Sequence, residues 1–93
     1  MLGGRGSLHD GGMSQPLSAL LARNVAAERV RRRWTQADLA ARLGVSRGTL
    51  GGWEAGSRQI SVDWLLPLCG ALDVPLIKLL DGLDAAELRR LGL

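Results

Sequence analysis

Residues 35–50 constrain the fold of this chain more than any other segment, because they contain start and stop signals for two short helices. Thr35 can cap the first helix, and Gly44 can end it in a left-handed turn. Ser46 can cap a second helix, which Gly56 stops. The segment therefore predicts two short helices joined by a tight glycine turn.

Two helices joined in this way form a helix-turn-helix, a motif whose second helix enters the major groove of DNA. We predict that the two helices span 36–43 and 47–55. Leu50 and Trp53 lie three residues apart on the second helix and therefore share its inner face. The helical period places on or near its outer face Ser46, Arg47, Gly48, Thr49, Gly51 and Gly52.

The composition predicts one small all-α domain. With 93 residues, the chain can form a modest core of packed helices but no deep substrate cleft. It contains three Trp and no Tyr or Phe, so the core must consist mainly of Leu, Val and Ala. Such a core favours helices.

The flanking segments predict further helices. A first helix is expected from residue 16 to about residue 33, and its inner side is expected to hold Leu17, Leu21, Val25 and Val30. A fourth helix is predicted over 62–72, where Pro67 predicts either a slight kink or a later start. A short fifth helix is predicted over 75–80.

The chain divides into three parts. Residues 1–14 are rich in Gly and have no apolar period, which predicts a flexible N-terminal tail. Residues 15–82 form the helix-turn-helix domain. Residues 83–93 are predicted as a C-terminal tail or short helix, in which Asp84 and Glu87 have the spacing of a capping box. The leucines of this last segment also fit a dimer contact.

Charge and reactive residues exclude several classes of function. The formal charge of +3 and the pI near 10.4 suit a polyanionic partner. One His and one Cys cannot form a metal cluster or a nucleophile–base pair, and no phosphate-binding glycine motif is present. We therefore expect no enzyme activity, no metal and no cofactor. A single Cys69 and the lack of a long apolar run favour a cytoplasmic protein without membrane contact.

Residues 24–82 resemble the Cro and phage-repressor type of helix-turn-helix, known as the XRE family. The resemblance rests, in this order, on Asn24, Val25, Arg29, Trp34, Thr35, Gln36, Leu39, Ala40, Leu43, Gly44, Val45, Ser46, Leu50, Trp53, Glu54, Gly56, Leu65, Leu72, Asp73, Val74, Leu79 and Leu80. It implies a compact five-helix bundle of the lambda-repressor-like DNA-binding type. Helix three would lie in the major groove, and helix two would bridge the DNA backbone.

The resemblance also implies contacts to the DNA backbone. Gln36 stands where the family has a Gln that contacts a phosphate, and Thr35 lies beside it. Free N–H groups at a helix N-terminus favour an anion at such a position. Arg58 and Gln59 follow helix three, where the family commonly has further backbone contacts.

Other residues of the resemblance are expected to be structural. Arg29 and Glu54 occupy positions that in this family often form a partly buried ion pair, which sets the angle of helix three. Trp34 and Trp53 match core positions of the family. Trp64 fits either the rim of the core or a dimer contact.

Arg47 is the strongest candidate for a base contact. Its guanidinium can bond to O6 and N7 of guanine together, which discriminates between bases by about 1–3 kcal/mol. Thr49 offers a hydroxyl to a phosphate or a methyl to thymine.

Helix three departs from the family at Gly48, Gly51 and Gly52, where long polar side chains are usual. Each glycine weakens a helix by about 0.8–1.0 kcal/mol relative to Ala. The glycines fit a close approach to DNA, a helix that instead packs on a protein, or simple tolerance in a helix held by its core contacts.

Two classes of function remain. The first is a sequence-specific regulator of transcription, a homodimer that binds double-stranded DNA and represses; a phage repressor, a restriction-modification controller and an antitoxin all fit it. The second is an adaptor that keeps the fold and binds a protein partner. Such an adaptor would bind DNA weakly or only together with that partner, and an antitoxin is one example.

Overall fold

The computed structural model describes residues 15–90 and residue 92. The N-terminal tail predicted for residues 1–14 lies outside this range, as do Leu91 and Leu93 of the C-terminal segment.

The described residues fold as the all-α bundle that the sequence predicts. Five helices form the bundle and a sixth short helix follows. Their bounds are α1 (Gln15–Arg31), α2 (Gln36–Leu43), α3 (Arg47–Ala55), α4 (Leu65–Leu72), α5 (Leu76–Leu79) and α6 (Ala85–Arg90), with a 3-10 turn (Val62–Trp64) before α4. None of these helices has the length and the apolar character needed to cross a membrane.

Capping residues fix the ends of α2 and α3. Thr35 and Asp38 form a capping box, in which the Thr35 hydroxyl accepts from the Asp38 N–H at 3.0 Å and Asp38 Oδ2 accepts from the Thr35 N–H at 2.8 Å. Gly44 and Gly56 end the two helices in the left-handed region, with φ of 76° and 83°. Only glycine adopts this conformation without a steric cost, so the sequence signals and the observed bounds coincide.

The core lies where α1, α2, α3, α4 and α5 meet. Its fully buried side chains include Leu21, Val25, Leu39, Leu50, Ile60, Leu68, Leu72 and Leu79. Trp53 is buried and its ring packs at a tilt on Trp64, with 5.4 Å between the ring centroids. Trp64 is thus part of the rim of the core, and Trp34 packs against the core from a partly buried position.

Two expectations about α1 are wrong. Val30 is 59% exposed, whereas the nearby Glu28 is buried. Position 30 lies five residues, or about 140° of helical rotation, beyond the buried Val25, so it faces away from the core. The helix also ends at Arg31, and Arg33 adopts a left-handed φ of 62° that turns the chain toward α2.

Pro67 delays α4 rather than bending it. The chain first makes the 3-10 turn, capped by the Ser61 hydroxyl, and the α-helix starts at Leu65. Pro67 is therefore the third residue of α4. A residue in the first turn has no intrahelical acceptor for its N–H, so the missing N–H of proline costs nothing there.

Two polar side chains of α1 hold distant backbone in place. The side-chain amide of Asn24 donates to the carbonyls of Leu79 and Asp81, both at 2.8 Å. The buried Ser18 hydroxyl accepts from the N–H of Ile60 at 3.0 Å. These bonds attach α1 to the end of α5 and to the segment that leaves α3.

Candidate nucleic-acid interface

The outer face of α3 is open to solvent. Arg47 and Gly48 are exposed, and Gly51 and Gly52 are partly exposed, while Leu50 and Trp53 face the core. We call Arg47, Gly48, Gly51 and Gly52 the outer strip of α3. Arg47 is the only member of this strip with a side chain, so the strip is a shallow surface with one long cation at its start.

Ser46 and Thr49 form a small network at the N-terminus of α3. The Ser46 hydroxyl accepts from the Thr49 N–H at 3.0 Å and donates to the Thr49 hydroxyl oxygen at 2.9 Å. The Thr49 hydroxyl keeps its own hydrogen for another acceptor. The network fixes the backbone and side-chain positions in the turn that also presents Arg47.

The Gln36 side chain lies against the outer strip. A Cβ atom added to Gly51 would lie 3.3 Å from Gln36 Oε1, so the glycine makes room for this side chain. Gln36 Nε2 also donates to Glu54 Oε1 at 3.1 Å. Gln36 is thus held between α2 and α3, with its second amide hydrogen left for an outside acceptor.

The N-terminus of α2 carries its own anion. Asp38 accepts the Thr35 N–H, and this hydrogen bond lowers the pKa of the Asp38 carboxyl. The carboxylate therefore offsets part of the positive end of the helix dipole that would attract a phosphate. At this end, any phosphate contact would depend on the side-chain donors of Thr35 and Gln36 more than on the helix dipole.

Arg29 and Glu54 form a two-bond ion pair between α1 and α3. Arg29 Nε donates to Glu54 Oε2 at 2.9 Å and Nη2 donates to Glu54 Oε1 at 3.0 Å. The side chains are only 14% and 8% exposed, and the Glu54 carboxylate raises the pKa of Arg29. Arg29 Nη1 also donates to the Trp34 carbonyl at 2.7 Å. Because Glu54 also accepts from Gln36, it ties α1, α2 and α3 together.

The loop after α3 folds back onto Gly52. The N–H groups of Ser57 and Arg58 both bond to the Gly52 carbonyl, at 3.0 and 3.1 Å. Arg58 is exposed and its aliphatic stem lies beside Gly52, whereas Gln59 is exposed one residue further from α3. The structure therefore places the stem of Arg58 beside the outer strip.

The arginines that end α1 are engaged within the protein. Arg31 and Arg32 both donate to the Glu28 carboxylate, the latter at 2.7 Å. The hydrogen bond from Arg32 is the main cause that lowers the pKa of Glu28, and the bond from Arg31 adds to it. The guanidinium of Arg42 stacks on the Trp34 ring, 3.9 Å from its centroid. These contacts favour a structural role for Arg31, Arg32 and Arg42 over a direct phosphate contact.

Sequence reasoning missed the polar contacts that two residues of α1 make with distant backbone groups. Ser18 and Asn24 do not stand out by hydrophobic period, and their partners are backbone groups 42 and 55 residues away. For Asn24 the signal was its place in the family pattern. The sequence names Gly52 and Arg58 as candidates, but only the fold shows that the stem of Arg58 lies beside Gly52. Within the described residues, no group of three or more acidic, His or Cys side chains could hold a metal ion.

Comparison with known proteins identifies similar chains. A family model described as helix-turn-helix matches residues 25–79, more than half of the chain. The restriction-modification controller protein C.AhdI from Aeromonas hydrophila is 29% identical at a TM-score of 0.61, and the match covers 67% of this chain and 94% of that one. The hypothetical transcription factor NHTF from Neisseria is 28% identical at a TM-score of 0.65, with 86% and 91% covered.

A third solved structure contains DNA. The controller protein C.Esp1396I, solved as a tetramer in complex with its natural 35-base-pair operator, is 25% identical at a TM-score of 0.60, with 69% of this chain and 93% of that one covered. No curated protein matches this chain. The range matched by the family model starts inside α1 and ends with α5, so it contains the outer strip and both members of the ion pair.

Proposed function

The chain belongs to the XRE type of the helix-turn-helix family, and we propose that it is a regulator of transcription that binds double-stranded DNA with sequence specificity. The observation that carries this proposal is the outer strip of α3. The strip is open to solvent and begins with Arg47, and caps at both ends of α3 fix its backbone. A helix presented in this way can enter the major groove with its first residues toward the bases.

Base contacts would come mainly from Arg47 and Thr49. The planar guanidinium of Arg47 matches the two acceptors of guanine, and Thr49 has a free hydroxyl hydrogen and a methyl group. Ser46 holds Thr49 in place through two hydrogen bonds and would itself contact the adjacent DNA backbone. Because Gly48 has no side chain, the DNA could approach the backbone of α3 closely at this position.

Backbone contacts would flank this helix. Thr35 and Gln36 lie at the start of α2, and Arg58 and Gln59 lie in the loop after α3. Contacts to phosphates fix the position of a protein on the duplex without selecting a sequence. Gly51 and Gly52 complete the proposed interface by making room for Gln36 and Arg58.

We propose that the regulator acts as a homodimer and as a repressor in the bacterial cytoplasm. The nine residues of α3 can contact few base pairs, and a second copy doubles the contacts by joining two half-sites. The similar C.Esp1396I was solved as a tetramer on its operator. Val62, Leu66 and Ile77 supply exposed apolar side chains that a second copy would cover. A dimer seated on an operator represses by excluding other proteins from the same DNA.

The test is selection from random-sequence duplex pools at two salt concentrations. The native chain, Arg47→Ala and Lys78→Ala are compared, since Lys78 is an exposed cation on α5 outside the proposed interface. We expect a palindromic motif from the native chain, with spacing of half-sites near one helical turn of DNA or a multiple. Arg47→Ala should lose a base preference of roughly 5- to 150-fold at one position of each half-site.

The same experiment can refute the proposal. Weak binding by the native chain that shows no motif and vanishes at the higher salt would indicate charge attraction alone. In that case an adaptor that binds a protein partner, including an antitoxin, would become the better explanation. A motif without two-fold symmetry would contradict the homodimer, which light scattering of the free protein checks independently.

A further inference from the structure

Side chains from other segments lie over Gly51 and Gly52, two of the three glycines of the outer strip. Gly51 lies under Gln36, as described above. A Cβ atom added to Gly52 would lie 2.9 Å from Arg58 Cδ, 3.0 Å from Cγ and 3.4 Å from Cβ. The whole stem of Arg58 therefore fills the space that a side chain at position 52 would occupy.

The stem of Arg58 is anchored at its root as well. The N–H of Arg58 bonds to the Gly52 carbonyl at 3.1 Å, and the N–H of Ser57 bonds to the same oxygen at 3.0 Å. Backbone and stem of Arg58 are thus attached to one residue of α3. An arginine held in this way has lost much of the side-chain freedom that a loop residue normally keeps.

The guanidinium of Arg58 is left available for an outside partner. Among the described residues, no ion pair or hydrogen bond engages it, whereas Arg29, Arg31 and Arg32 all have carboxylate partners. The residue is exposed, and its stem packs beside Gly52, on the strip to which Arg47 also belongs. The strip therefore has two arginines, one of its own and one supplied by the loop.

We propose that Arg58 is a base-contacting side chain and that Gly52 is the seat that positions it. This inference rests on the proposed function and changes one part of it, because Arg58 would select sequence and would not merely bind a phosphate. Gly51 and Gly52 lie about 100° apart around α3, so Gln36 and Arg58 flank the floor formed by Gly48. A preorganised, planar guanidinium beside this floor matches the O6 and N7 acceptors of guanine.

The proposal also explains the glycine at position 52. Any side chain there would push the Arg58 stem off α3, since even a methyl group would approach two of its atoms to 3.0 Å or less. The Arg58 side chain is flexible enough to move away, so Gly52→Ala should displace the arginine without unfolding the helix. Gly52→Ala and Arg58→Ala should then have the same effect on sequence preference.

The test is the duplex selection described above, extended to Arg58→Ala, Arg58→Lys, Gly52→Ala and the double variant Gly52→Ala/Arg58→Ala. We expect Arg58→Ala to abolish a roughly 5- to 150-fold preference at a position distinct from that assigned to Arg47, while the rest of the motif persists. Arg58→Lys should not restore the preference, because an ammonium lacks the planar fork. The double variant should match Arg58→Ala alone.

A matched control is Gly70→Ala, which adds a methyl group to an exposed helical glycine of α4 with no neighbour within 4 Å among the described residues. Its motif should equal that of the native chain. The contact between Gly52 and Arg58 can be measured without DNA. Nuclear Overhauser contacts between the Gly52 α-protons and the Arg58 δ-protons should be present in the native protein and absent in Gly52→Ala.

Three results would overturn the inference. Uniformly weaker binding by Arg58→Ala with an unchanged motif, restored by Arg58→Lys, would make Arg58 a phosphate contact. A further loss on adding Gly52→Ala to Arg58→Ala would show that Gly52 meets the DNA directly. Absence of the Gly52–Arg58 proton contacts in the native protein would remove the seat. A native chain that selects no motif would instead refute the proposed function, which no Arg58 result does.

Discussion

Removal of Arg29 should destabilise the fold more than removal of any exposed arginine. Arg29→Met keeps the length of the stem and removes two bonds to Glu54 and one to the Trp34 carbonyl. The Glu54 carboxylate, whose side chain is 8% exposed, then keeps only the bond from Gln36. An ion that is buried and deprived of its partner costs about 3–5 kcal/mol.

That loss is large for a domain of this size. Small domains have a free energy of unfolding of about 5–15 kcal/mol. Each 1 kcal/mol of lost stability lowers the melting temperature by roughly 4–8 °C in a domain of 60–100 residues. We therefore expect the melting temperature of Arg29→Met to fall by roughly 12–40 °C. Urea unfolding, followed by circular dichroism and Trp fluorescence, measures the free energy directly.

Two variants separate the buried charge from the loss of packing. Arg29→Met/Glu54→Leu removes both charges, so it should cost less than Arg29→Met alone, with the unpaired Trp34 carbonyl as the main remaining penalty. Arg31→Met removes an arginine whose side chain is 63% exposed and should cost less than about 1 kcal/mol. The reasoning is refuted if Arg29→Met costs no more than Arg31→Met, or if the double variant is at least as unstable as Arg29→Met alone.

Three other changes test the local structure. Ser18→Ala leaves the buried N–H of Ile60 without its acceptor and should lower the free energy of unfolding by about 1–3 kcal/mol in urea titration, whereas an effect below a few tenths would contradict the bond. Gly44→Ala places a Cβ in the left-handed region and should cost about 1–2 kcal/mol by the same measurement, with Gly44→Asn less harmful. Equal effects of the two variants would speak against a conformational cause, since none of the described residues lies within 4 Å of the added Cβ. The folded pKa of Asp38 is lowered, so the stability that its carboxylate provides is present above the ordinary carboxyl pKa of about 3.9 and is lost as the pH falls through the folded pKa. Asp38→Asn should therefore lose stability less steeply in acid than the native chain. Parallel pH profiles of the two proteins would argue against the capping box.

The helices at the centre of the fold followed from sequence because their signals are local. Thr35, Gly44, Ser46 and Gly56 act on backbone within one turn, so their types alone fix the ends of α2 and α3. The prediction for α1 was less accurate. Hydrophobicity alone places Val30 in the core, whereas the helix instead buries Glu28, whose carboxylate is paired with Arg31 and Arg32.

The sequence by itself determined an all-α chain with a helix-turn-helix, and it predicted Arg47 as the base contact on an exposed helix face. Those conclusions depend on residues close together in the chain. Tertiary structure alone decided what lies beside Gly51 and Gly52, because Gln36 and Arg58 reach them from segments on either side of the helix. It also decided that Glu54 holds Arg29 and Gln36 at once. Periodicity tells which face of a helix is outward, but a side chain that crosses that face from another segment becomes visible only once the segments are packed.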